Sequence, residues 1–451
     1  PDLGAAHFTL GQTYAAYKSF PQAIDEFKET LRLIPTYPEA YIELGNAYLK
    51  NRDYDLAIGA YQEAIELNPG FFEAFTAIGV AYTESNRDKQ AIEPLKNALK
   101  INPDDDVAYL NLGIAYKNLG QHEEAIDAFL ELIRIRFKDP EAYFLLASEY
   151  FSSDLYDDAI QRFKDAIRLE PDHIDAHFQL SQVYDETGDL KNSLREFERV
   201  IEIQPRNLEG HYRKGDIFQR LGNHKAAAKS FEQALIIDPD HLLANYQLGL
   251  SYIKMDRHED ALEKFEKAIE SDSRFPEAYF QMGSILSYLK RFKKAIDPLK
   301  KATNLKPDFS KAYYELGNAY SHLNQYQKAI EPLEQVIRIS NMHANAYLAL
   351  GLAHSKLKQY DPTVIHLRKA LDLNPSHRKA YFPLGLSLVK IGRFEDASAL
   401  LAMATTDNPD YPNIQNQLGE AYIVLGDAYL HNKKIGLEKV QKINESAHCQ
   451  H

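Results

Sequence analysis

Apolar residues recur along the chain as pairs of short stripes at helical spacing. Ala40, Tyr41, Leu44, Gly45, Ala47 and Tyr48 fall on one face of a helix. A polar turn, Asn51-Arg52-Asp53, follows, and Ala57, Ile58, Tyr61, Ala64 and Ile65 make a second stripe. Asn68-Pro69 closes the pair, because proline lacks a backbone donor and holds the residue before it out of the helical region. The pattern then repeats with a period of 34 residues.

Three concurrent grids carry that period. Pro1, Pro35, Pro69, Pro103, Pro171, Pro205, Pro239, Pro307, Pro375 and Pro409 lie on the first, with Phe137, Ser273 and Asn341 at the points without proline. A small residue marks the second, from Gly11 and Gly45 through Ala147 and Ser181 to Gly419. The third runs from Ala23 and Ala57 through Ser193 and Thr363 to Ala397. Chance does not align three such series. The spacing predicts helix-turn-helix repeats starting at 4, 38, 72, 106, 140, 174, 208, 242, 276, 310, 344 and 378, forming one continuous solenoid over 1–445. A partial or capping repeat is expected at 412–445, where His431, Lys433, Lys434, Glu438, Lys439 and Lys442 make the second helix polar, and a disordered tail at 446–451. The small residues allow two helices to cross closely. One hairpin cannot bury both of its stripes, so neighbours must stack.

These grids resemble the tetratricopeptide repeat. One repeat shows the pattern as Tyr41, Leu44-Gly45, Tyr48, Ala57, Tyr61, Ala64 and Pro69. The family's usual tryptophan is absent, since the chain has no Trp. Tyr41, Phe75, Tyr109, Tyr143, Tyr279, Tyr313, Tyr347 and Tyr381 stand in its place, with His7, His177 and His211 in three repeats. The resemblance implies an all-α fold, a right-handed α-solenoid superhelix whose first helices line a concave groove. It also implies that a partner meets the second, fifth, ninth, twelfth and thirteenth positions of each repeat.

The fifth position reads Phe8, Ile42, Thr76, Leu110, Phe144, Phe178, Tyr212, Tyr246, Phe280, Tyr314, Leu348 and Phe382. Its rings form a candidate binding ladder, or else fill the space between repeats. At the second position Glu39, Glu73, Glu141, Asp175, Glu209 and Glu277 give way to Lys311 and Lys379, and Lys254, His322, Lys356 and Lys390 occupy the thirteenth. A groove running from acidic to basic would orient an extended partner of opposite polarity. Asn46 and Asn318 stand where some relatives grip a terminal carboxylate, but the companion lysine is replaced by Ile42 and Tyr314. An asparagine ladder at the sixth position, as in the repeat region of O-linked N-acetylglucosamine transferase, is matched only by Asn111.

Charge sharpens this division. The net charge is −13. Residues 1–200 hold 36 acidic and 19 basic side chains, and 201–451 hold 29 and 33. That balance argues against nucleic acid as a partner. No apolar run is long enough to span a bilayer, so direct membrane insertion of this segment is not expected. The single cysteine, Cys449, leaves no internal disulfide. The chain begins with Pro1, which leaves an upstream signal peptide open; cytoplasmic placement is favoured and periplasmic stays open. No GxxxxGK, GxGxxG, HExxH, CxxC or GxSxG motif occurs, so no catalytic residue and no cofactor are expected. His173 and His177, four apart beside Asp172 and Asp175, have metal-ligand spacing, but His173 falls in the turn after Pro171 and His177 on the aromatic packing position of the repeat, and no metal is expected.

The expected function is a protein-interaction scaffold that holds a peptide or protein segment in its groove, without enzymatic activity. Two other classes stay open. One is a substrate-recruiting region of a larger enzyme such as a glycosyltransferase. The other is an envelope, secretion or pilus assembly factor. Homo-oligomerisation through the solenoid ends is a further expectation.

Overall fold

The computed structural model describes residues 2–393 and positions 396, 397, 400, 401, 403, 423, 426, 427, 429, 430 and 433. Apart from the last six of those positions, the expected repeat at 412–445 lies outside the described residues, and so does the tail 446–451. The chain divides into two compact units, Pro1–Leu221 and Gly222–His451. The first holds six helical hairpins, from Asp2–Ala16 with Phe20–Leu33 to Ile174–Glu186 with Leu190–Ile203, followed by helix Leu208–Arg220. The second opens with helix His224–Ile237 and continues through four hairpins, from Leu242–Lys254 with His258–Ser271 to Ala344–Lys356 with Tyr360–Leu373, before Tyr381–Lys390. No strand occurs among the described residues.

The hairpin dimensions repeat. Pro38–Lys50 has 13 residues and Tyr54–Leu67 has 14, and the same lengths recur in Pro276–Tyr288 and Phe292–Leu305. Where the grid carries glycine, one contact sets the crossing of the pair. A Cβ at Gly45 would lie 2.5 Å from the ring of Tyr61, one at Gly113 2.4 Å from Phe129, and one at Gly249 2.7 Å from Phe265. Those rings are fully buried. Leu95, Leu299, Leu333 and Leu367 fill the same place over Gly79, Gly283, Gly317 and Gly351, at 2.3–2.6 Å. The alanine grid lines the other side, with Ala23, Ala57, Ala91, Ala125 and Ala159 all at zero exposure. In the repeat starting at 174 both small positions are serines, and Ser193 donates to the carbonyl of Ser181 at 2.7 Å. A hydrogen bond there satisfies two polar groups that burial would otherwise penalise.

The joint between repeats has its own device. At the fourth position Tyr143 donates to the carbonyl of Phe137 at 3.3 Å, and Tyr381 to that of Pro375 at 2.9 Å. His177 and His211 reach Pro171 and Pro205 through Nε2 at 3.0 Å, and Asn245 reaches Pro239 at 2.9 Å. Tyrosine, histidine and asparagine interchange here because each supplies a donor to an inter-repeat carbonyl that has no helical partner. The second helices end just before the proline grid, with Asn68 extended at φ −146°, ψ 95°. Asp272 and Ser340 are extended in the same way although Ser273 and Asn341 replace proline. Packing of the next repeat therefore stops the helix even where proline does not.

Pro94, Pro298 and Pro332 lie inside second helices, in Asp88–Ile101, Phe292–Leu305 and Tyr326–Ile339, each as the seventh residue. Each removes one bond to the carbonyl four residues back. The helices answer by tightening their first turn, with i→i−3 bonds from Gln90 to Arg87, Lys294 to Arg291 and Lys328 to Gln325 at 2.9–3.0 Å.

The turn within each hairpin needs a left-handed residue. Among the described residues Gly120, Gly188, Gly222 and Gly392 meet that need with glycine. Lys18, Arg52, Asn86, Asp154, Asp256, Lys290, Asn324 and Lys358 adopt φ of 56–66° at the same position. Arg52 N–H bonds to the carbonyl of Leu49, and Asp53 N–H to that of Tyr48 at 2.9 Å, which satisfies the helix C-terminus.

The titration of His366 is displaced. His366 stacks on His354 with ring centroids 5.4 Å apart, and its Nδ1 is buried without a hydrogen-bond partner. Burial, and secondarily the neighbouring His354, holds the His366 pKa down to about 4.

Replacing Gly45 by Ala forces the Tyr61 ring aside and costs about 1–2 kcal/mol net of the better helix propensity of alanine; a urea titration reads this as a lower midpoint. Arg52→Gly or Lys290→Gly relieves a left-handed side chain and stabilises by about 0.5–1 kcal/mol, seen as a higher midpoint. For His366 the unfolded chain takes up a proton below about pH 6.5 and the folded chain does not until near pH 4. Stability is therefore full above that window and falls as pH drops through it. Between about pH 7 and pH 5 the parent loses roughly 1–2 kcal/mol, after discounting for partial exposure, that His366→Phe retains; parallel urea titrations at the two pH values measure it.

Candidate functional site: the first-helix face

The candidate surface is built from first helices. Their inner stripe packs on the second helix, and their fifth position projects at the joint with the following repeat. Among the twelve fifth-position side chains, Thr76 is buried and the other eleven, including Tyr212, are half-buried. They are neither core residues nor free ones.

The contacts explain this intermediate state. Phe8, Phe144, Phe178 and Tyr246 lean on the buried rings Phe27, Phe163, Phe197 and Phe265 of their own repeats, with centroids 5.7–6.0 Å apart. They also reach across the joint. Phe8 meets Tyr37 at 5.0 Å, Phe144 meets His173 at 5.1 Å, Tyr246 meets Phe275 at 4.9 Å, Phe280 meets Phe309 at 4.8 Å and Tyr314 meets His343 at 5.1 Å. Each of those partners sits just before the next first helix. Several of the residues there are its N-cap: His173, His241 and His343 accept from Ala176, Ala244 and Ala346 N–H, as Asp105, Asp139 and Asn207 do in other repeats. The expected ladder positions are thus inter-repeat spacers on one side and partly solvent-facing on the other. Phe382 is half-buried in the same way, packed on the last core cluster.

The polar positions sort differently. Asn46 is committed internally, its Oδ1 accepting from the Tyr61 hydroxyl at 2.9 Å. Asn318 is half-buried, and its side chain makes no hydrogen bond among the described residues. Lys254, Lys356 and Lys390 are exposed and have no ion-pair partner among the described residues. His322 instead stacks flat on Phe292 at 4.3 Å, which makes it a packing residue. Among the second-position acids, Glu209 pairs with Arg213 at 2.6 Å and Glu277 with Lys306 at 3.1 Å. Burial raises the pKa of Asp216 and of Glu315 above the ordinary carboxylate value, so part of this face is already dehydrated.

His173 and His177 do not converge. His173 caps its helix, 3.5 Å from Glu141, while His177 binds Glu196 at 2.6 Å and the carbonyl of Pro171. Among the described residues no group of three or more His, Cys, Asp or Glu side chains is arranged to hold a metal ion. No described helix is long and apolar enough to cross a membrane. A residue that the repeat pattern did not single out is Glu149, whose carboxylate is buried 3.0 Å from His122 and 3.6 Å from Lys117. Its signal lay in the grid, since Ala47, Ala81 and Ala115 occupy the same position in earlier repeats.

Family profiles described as tetratricopeptide repeat match residues 38–71, 107–139, 150–214, 212–276, 276–309, 310–340, 344–377 and 382–436, and one described as TPR repeat matches 79–120. No curated protein matches the chain in sequence. Among solved structures, YrrB, described as a TPR protein with an unusual peptide-binding site, aligns at 21% identity over 41% of this chain and 95% of its own, with a TM-score of 0.39. MamA from Desulfovibrio magneticus RS-1 aligns at 24% over 38% and 97%, with a TM-score of 0.35. A chain of the APC/C hetero-tetramer Cut9-Hcn1 aligns at 15% over 84% and 95%, with a TM-score of 0.38. With profile matches running from residue 38 to 436 and the same hairpin recurring through both compact units, the chain belongs to the tetratricopeptide repeat family.

Proposed function

We propose that the protein is an interaction scaffold whose first-helix face holds an extended segment of a partner protein. The observation that carries this reading is the recurrence, in eleven of the twelve repeats, of a half-buried apolar or aromatic side chain on one helical face. A ring already fixed on one side by packing loses little entropy when a partner covers its other side. Phe144, Phe178 and Tyr212 supply such contacts in the first compact unit, and Tyr246, Phe280, Tyr314 and Phe382 in the second. Lys254, Lys356 and Lys390, exposed and without an ion-pair partner among the described residues, favour an acidic stretch on the partner where it meets the second unit.

The test is capture of partners from the native host by the immobilised chain, repeated with Tyr246→Ala and Phe280→Ala together. Loss of a captured protein, at unchanged helical content by circular dichroism, is the expected outcome. Full retention would move the interaction to another surface. Reversing Lys356 and Lys390 to Glu should weaken the same partner by about tenfold at low salt and much less at high salt, because exposed charges act mainly through a screened field. Equal loss at both salt concentrations would contradict the steering role.

A further inference from the structure

The repeat starting at 72 departs from its neighbours at one point of the first-helix face. Its fifth position is Thr76, where the flanking repeats place Ile42 and Leu110 and others place phenylalanine. Thr76 is drawn inward, its hydroxyl donating to the buried Asp105 carboxylate. A cavity of about 450 Å³ opens at this joint, with Thr76 among its lining residues.

The walls of the cavity select an occupant. Phe72, Ala77, Val80 and Val107 present apolar surface, and Leu49 of the preceding repeat closes one side. The charged lining residues are Glu73, Asp104, Asp105 and Asp106, with no basic residue among them. Asp104 and Asp106 are held by Arg134 at 2.7 Å and Arg136 at 2.6 Å, neither of which lines the cavity. Asp105 spends its oxygens on Thr76 and on the N–H groups of Val107 and Ala108. Glu73 is exposed and has no partner among the described residues. An open pocket with apolar walls and an exposed carboxylate, Glu73, among its lining residues is the complement of a long side chain with an aliphatic stem and a cationic head.

We infer that this cavity receives an arginine or lysine side chain carried on an extended segment of a partner protein, with Glu73 taking the cationic group. Arginine fits better than lysine, because its planar fork can bind a carboxylate through two N–H groups. The inference rests on the first-helix face being the partner surface and adds to it the chemistry of one side-chain subsite. Acidic segments are excluded there by the uncompensated carboxylate.

Short acetylated and amidated peptides of alternating Leu and Arg provide the probe, compared by fluorescence anisotropy with the same peptides carrying Gln or Glu in place of Arg. The Arg peptide should bind at least about tenfold more tightly than the Gln peptide. Thr76→Phe fills the cavity with the ring that other repeats carry, and should weaken Arg-peptide binding by about tenfold. Thr76→Val removes only the hydroxyl and should leave binding within about twofold. Glu73→Lys, at an exposed position that does not threaten folding, should abolish the preference for Arg over Gln and should carry the test if Thr76→Phe folds poorly. Binding of the Arg peptide to Thr76→Phe or Glu73→Lys as to the parent would overturn the inference, as would equal binding of the Gln peptide. Partner capture that depends on Tyr246 and Phe280 while these peptides ignore Thr76 and Glu73 would leave the wider reading standing and remove this subsite alone.

Discussion

The structure depends on a ring, or a leucine, lying on the backbone of the facing helix where a glycine has left room. Tyr61 over Gly45, Phe129 over Gly113 and Leu299 over Gly283 are the same contact at three places. Because a Cβ at those glycines would overlap its partner, the crossing distance within those hairpins is set by atoms and not by propensity. With that distance fixed, the first helix has one face on its partner and another turned to the following repeat. The fifth position then has to sit at the joint, half covered. The surface proposed for partner binding is thus a consequence of the core contact, repeated with the same period.

Much of this was legible before any coordinates. The proline, glycine and alanine grids are backbone and packing constraints written in residue identity, so they mark helix ends and crossings directly. Gly45 and Ala57 were readable as the close-approach residues, and the rings around them as filling. Other features were hidden for physical reasons. The hairpin turns place Lys18, Arg52 or Asp154 in a left-handed conformation that glycine alone would have advertised. The surrounding helices over-determine the turn, and the side chain tolerates the strain. Asn245 joins tyrosine and histidine at the fourth position because all three can donate to a turn carbonyl, an equivalence of hydrogen-bonding capacity and not of shape.

The candidate site was less legible. Position within the repeat marks out the face proposed for binding but not how each side chain is employed. Asn46 stood as a ligand-gripping candidate and is occupied by Tyr61, and His322 stood among the basic positions and is stacked on Phe292. Both engagements depend on neighbours fifteen or thirty residues away, which a one-dimensional pattern does not pair. Lys254, Lys356 and Lys390, with no such neighbours among the described residues, are exposed, as the proposed steering role requires. The cavity beside Thr76 had a visible cause, the one small polar residue in a series of larger apolar ones, but its volume and its acidic lining needed the fold.

The claim that the first-helix face is the working surface is tested most directly by site-specific photocrosslinking. A benzophenone-bearing phenylalanine is placed at Tyr246 and Phe280, and for comparison at Ile236 and Ile365, which are exposed on second helices of the same compact unit. Partner adducts from Tyr246 and Phe280, with little or none from Ile236 and Ile365, are the expected result. Adducts confined to Ile236 and Ile365 would place the partner on the second helices and contradict the account.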